Sequence, residues 1–74
     1  MLNLMFNQIK NKYSFDNINI FDNNIVININ NNIIKINYDN EYHLFLKTNM
    51  LDTELITNDD RILEDVLHLI NLYK

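Results

Sequence analysis

IVININNNIIKINY, residues Ile25–Tyr38, decides how the chain folds. Built almost wholly from isoleucine and asparagine, it reads either as an aggregation-prone tract of low complexity or as a strand pair written in a narrow alphabet. Folding it back at Asn31–Asn32 separates the two. Asparagine tolerates the positive φ of a two-residue hairpin turn, which a glycine would otherwise supply. With that turn, Ile29 faces Ile34, Ile27 faces Ile36 and Ile25 faces Tyr38, all on one side. The other side pairs Asn30 with Ile33, Asn28 with Lys35 and Val26 with Asn37, the alternation of a half-buried antiparallel sheet. The hairpin is the preferred reading.

The pattern continues in both directions. Downstream, Asp39-Asn40-Glu41 connects to YHLFLK, where Tyr42, Leu44 and Leu46 extend the apolar face and His43, Phe45 and Lys47 the other. Upstream, YSFDNINIF pairs through a loop at Phe21–Asn24, with Ile18 and Ile20 inward and Asn17 and Asn19 outward. A slip of one residue would bury the two amides instead, so this register is the one that keeps them in water. TNMLDTELIT, residues 48–57, reads as a loop with a short helical turn around Leu51–Ile56.

Helices bracket the sheet. Leu2, Met5, Phe6, Ile9 and Tyr13 recur at helical spacing, and Ile62, Leu63, Val66, Leu67, Leu69, Ile70 and Tyr73 form a broad apolar stripe. Thr57 followed by Asp60 resembles a capping box, and Lys74 suits the negative end of the helix dipole. The expected fold is α+β, a single small domain over residues 1–74. A four-stranded antiparallel meander sheet carries an N-terminal and a C-terminal helix on one face, in the order α-β-β-β-β-α.

A chain of 74 residues has a thin core, and a 47% hydrophobic content is too high for a disordered one. Cysteine is absent, which excludes disulfides, a thiol nucleophile and thiolate metal sites. Glycine is absent too, which excludes phosphate-cradling loops and dinucleotide fingerprints. A net charge of -4 offers no basic footprint, so direct nucleic-acid binding is disfavoured. MLNLMFNQIKNKYS has its lysines after the apolar residues, the wrong order for a signal peptide. No run approaches membrane-spanning length, so a cytoplasmic protein is expected, with no membrane partner. Gly, Pro and Ala, read from GC-rich codons, are all missing while Asn and Ile abound, which points to an AT-rich genome such as a low-GC bacterium, its phages or other mobile elements.

Catalytic chemistry has little to work with. Ser14 is the sole serine and has no histidine nearby in sequence; its plain role is a strand-start hydroxyl. Glu64, Asp65 and His68 have helical spacing for a metal, but such pairs commonly belong to a solvated face and a third strong ligand is missing. No catalytic residue, metal or cofactor is assigned, and an enzyme is not expected.

Two surfaces remain. The uncovered sheet face carries Lys35, His43, Phe45 and Lys47, along with Phe15, and small nucleic-acid-binding sheets display aromatic and basic residues in this way. The stronger asymmetry is acidic: DTELITNDDRILED, residues 52–65, opposes Arg61 alone to six carboxylates. Asp59, Asp60, Glu64 and Asp65 sit where a helix start favours acids anyway, yet the same residues would complement a basic groove on a partner. The expectation is a non-catalytic protein-binding module. In its sharpest form it is a phage- or mobile-element-encoded inhibitor of a host nucleic-acid enzyme, like anti-CRISPR proteins in type though in no motif. The alternatives are an antitoxin, immunity or regulatory protein neutralising a cognate partner, and a nucleic-acid binder using the sheet face. Exposed apolar residues and unpaired sheet edges also lead to an expected homodimer.

Overall fold

The computed structural model describes residues 2–13 and 17–74. They form helix α1 (Leu2–Tyr13), strands β1 (Ile18–Phe21), β2 (Asn24–Ile29), β3 (Asn32–Tyr38), β4 (Tyr42–Lys47) and β5 (Asp52–Thr57), and helix α2 (Ile62–Tyr73). The strands make one antiparallel sheet in chain order, each paired with the next. Ser14 and Phe15, read above as a strand-start hydroxyl and an outer-face aromatic, lie outside the described residues.

Alternation in the sequence builds the core. Ile18, Ile25, Ile27, Ile29, Ile34, Ile36, Tyr42, Leu44 and Leu46 all point to one face and are buried there. Met5 and Ile9 of α1 and Ile62, Val66 and Ile70 of α2 cover them. Helix α1 lies over β1 and β2, and α2 over β3 and β4. The helices run side by side in the same direction. Their starts meet around Leu4, Met5, Ile62 and Leu63, and their ends where the Tyr13 hydroxyl donates to Asn71 Oδ1 at 3.0 Å. Each aliphatic side chain fully withdrawn from water contributes about 1.5–3 kcal/mol. Among the described residues no charged or polar side chain is buried within this layer.

The tip of the central hairpin differs from its sequence reading. The turn is Asn30–Asn31, both at positive φ (49° and 70°), so Ile25 faces Ile36, Ile27 faces Ile34 and Ile29 faces Asn32. Moving the turn by one residue shifts the pairing by two, which preserves every residue's face, and the hydrophobic pattern therefore cannot choose between the two turns. Polar contacts distinguish them. The observed register sets Asn24 opposite Asn37, whose Nδ2 donates to Asn24 Oδ1 at 2.9 Å. It also lets Asn30 Nδ2 donate to the Tyr73 carbonyl at 2.9 Å, satisfying the C-terminal end of α2. Tyr38, paired with Tyr42 at the rim, stays partly exposed, and the two rings lie 4.8 Å apart.

The larger correction is a fifth strand. Residues Asp52–Thr57 extend the sheet where a helical turn was expected, pairing with β4 without interruption from Tyr42–Thr57 to Lys47–Asp52. Thr53, Ile56 and Thr57 are β-branched and suit a pleated surface, and the strand satisfies backbone groups that β4 would otherwise expose. Among the described residues the two helices pack on β1–β4, and Leu55 and Ile56 of β5 stay exposed. Among the described residues no helix is long and apolar enough to cross a membrane.

Candidate partner-binding surface

At one end of the sheet the β3–β4 turn, the end of β5 and the start of α2 enclose an open cleft of about 780 Å³. Glu41, Asp59, Asp60 and Asp65 line it, with Arg61 the sole cation among the lining residues. Asn40, at φ 64°, bends the β3–β4 connection so that Glu41 is delivered to this edge. Tyr42 lies beneath it. Burial, reinforced by the Asp59 carboxylate and then by Tyr38, pushes the Tyr42 phenol above its ordinary 10.0.

The segment before α2 is ordered by Asn58. Its Oδ1 accepts from the backbone N–H groups of Asp60 and Arg61, both at 3.1 Å, while its carbonyl accepts from those of Arg61 and Ile62. Held in this turn, Asp59 and Asp60 project into solvent. The capping box read from Thr57 and Asp60 does not form, because Asn58 already supplies the oxygen that those N–H groups need. Instead the Thr57 hydroxyl donates to Asp65 Oδ2 at 2.9 Å, tying the end of β5 to the first turn of α2. Of the four acids singled out in the sequence, Asp59, Asp60 and Asp65 therefore share the cleft. Glu64 is exposed on α2 outside the lining. Glu41 joins the cluster from a turn distant in sequence, and nothing in the local pattern could have signalled it.

The sheet-face group is also assembled. Lys35 and Phe45 are cross-strand neighbours, with Lys35 Nζ 5.4 Å from the ring centroid, and His43 stacks on Phe45 at 6.4 Å. Lys47 occupies the same face one pair further along β4. Strand β5 changes the character of this face by adding Asp52 opposite Lys47 and Glu54 opposite Phe45. Glu54 Oε2 lies 2.6 Å from His43 Nδ1, and Glu41 Oε1 lies 3.8 Å from Nε2. The imidazole is thus flanked by carboxylates. Basic character is diluted, which leaves the acidic cleft as the more distinctive surface.

Among the described residues no group of three His, Cys, Asp or Glu side chains is disposed to hold a metal ion. Asp65, considered for such a site with Glu64 and His68, is engaged by Thr57 instead. Comparison with known protein families, with curated proteins and with solved structures returned no match to this chain.

Proposed function

We propose that the chain acts by binding another protein, its acidic cleft docking against a basic surface of the partner. One observation carries this reading: Glu41, Asp59, Asp60 and Asp65, drawn from three separate elements, converge on a single open cleft with one counter-charge. A helix start accounts for acids on α2, but it does not account for Glu41. Such a cluster steers encounter with a cationic groove and fixes orientation within it. Surfaces that bind nucleic acid are grooves of this sign. The sharper proposal is therefore an inhibitor of a nucleic-acid enzyme, offering carboxylates where that enzyme receives phosphates. The AT-rich coding bias directs the search to low-GC bacteria, their phages and mobile elements. An antitoxin facing a basic toxin would use the same cleft, and the identity of the partner separates the two.

Affinity capture from lysate of the host, followed by mass spectrometry, tests the proposal when run beside a variant with Glu41, Asp59, Asp60 and Glu64 changed to lysine. Asp65 is spared because it anchors Thr57. The native chain should retain a partner that excess duplex DNA or raised salt releases, and the variant should lose it. Equal retention of that partner by the variant would remove the cleft from the binding surface.

A further inference from the structure

We propose that β5 is a self-association edge, and that two copies join their sheets through it in antiparallel register centred on Leu55. The observation behind this is the free edge of β5, whose last two residues, Ile56 and Thr57, also border the acidic cleft. Strand β5 is a terminal strand of the sheet, six residues long, free of proline and paired with β4 along its whole length. Its protection as a sheet edge is limited to the carboxylates of Asp52 and Glu54, for it has no bulge and no lysine. Leu55 is 52% exposed and Ile56 65%, and Leu51 and Met50 at its approach are 46% and 96% exposed. These four residues present on the order of 500 Å² per copy, so two copies joined here would withdraw about 1,000 Å² in all, the low end for a specific interface.

Symmetry and charge together select the occupant and the register. A twofold axis normal to the sheet keeps each face continuous and sets one residue of β5 opposite its own image. Centring on Glu54 would place two carboxylates face to face, and centring on Thr53 would oppose Asp52 to Glu54. Centring on Ile56 runs the pairing off the strand into the Asn58 turn. Centring on Leu55 brings Leu55 against Leu55, Thr53 against Thr57 and Glu54 against Ile56. No acid then meets an acid, and five of the six residues of β5 are used. The other edge, β1, has only four residues, and its union with β5 would be heterologous and open-ended. In the Leu55-centred pair the two acidic clefts fall at opposite ends of the shared strands. Asp59 and its image are then roughly 27 Å apart along the strand axis, at about 3.4 Å per residue. That is several Debye lengths at physiological salt, so the clefts do not oppose the union.

Sedimentation of the native chain from low to high micromolar concentration should show a monomer passing to a dimer. Because each copy carries a net charge of -4, the dimer should tighten with salt, the opposite of binding through the cleft. Leu55→Lys sets like charges opposite each other and should weaken the dimer by roughly tenfold or more, with circular dichroism unchanged because the side chain is half exposed. The chain has no cysteine, so a single introduced thiol reports register directly. Leu55→Cys should cross-link between copies under mild oxidation, and Glu54→Cys should not, since directly opposed residues alone meet disulfide geometry. A strict monomer at high micromolar concentration would overturn the proposal. So would cross-linking at Glu54→Cys in preference to Leu55→Cys.

Discussion

His43 Nδ1 lies 2.6 Å from Glu54 Oε2, so the outermost strand is fastened to its neighbour by a side-chain contact as well as by the backbone ladder. Both residues remain partly in water, which limits the contribution to about 1 kcal/mol or less. Glu54→Ala should therefore lower global stability by no more than that amount. Its clearer effect is local: amide exchange in Asp52–Thr57 should accelerate while β2 and β3 stay protected.

In the centre of the sheet the scale is different. Ile27 and Ile36 are fully buried, and truncating either to alanine removes buried methyl groups and leaves a cavity. The expected cost is about 2–5 kcal/mol, a large share of the stability of so small a domain. Urea denaturation monitored by tyrosine fluorescence should show the midpoint falling sharply or the transition disappearing.

At the start of α2, Asn58 and not Asp60 holds the turn. Asn58→Ala should destabilise by about 0.5–2 kcal/mol, and Asp60→Ala should change stability by about 0.5 kcal/mol or less. Thermal melts of the two variants side by side check the assignment.

Tyr42 predicts the alkaline behaviour. The folded chain holds its phenolic proton more tightly than the unfolded chain, whose tyrosines titrate near 10.0. Its contribution is thus complete below that pH and is lost as pH rises through 10 toward the higher folded value. Stability measured by chemical denaturation should fall above pH 10, and Tyr42→Phe should lessen that fall.

Much of this architecture was legible because alternation at two-residue period is unchanged when the pairing shifts by two residues. Ile25, Ile27, Ile29, Ile34 and Ile36 occupy the same face in either hairpin register, so the core could be read while the turn was misplaced by one residue. The alkyl pattern carries no information on that shift; the amides of Asn24, Asn30 and Asn37 do, through partners distant in the chain. Strand β5 was missed for a related reason. Leu55 and Ile56 on opposite faces are both exposed, and the in-out contrast that identifies a strand is missing. Without β5, neither Glu54 beside His43 nor the cleft shared by Glu41 and Asp59 could be placed. The candidate site depends on tertiary neighbours, and local spacing does not encode them.

The nearest-neighbour order of the strands also bears on how fast this chain reaches its fold. Each strand pairs with the one that follows it, α1 rests on the strands after it, and α2 on strands shortly before it. Most contacts therefore join segments close in sequence, which lowers the loop-closure entropy that slows β-rich proteins. With no proline in the sequence, prolyl isomerisation adds no slow step. The contacts of Tyr13 with Asn71 and of Asn30 with Tyr73 are exceptions, joining residues 58 and 43 positions apart.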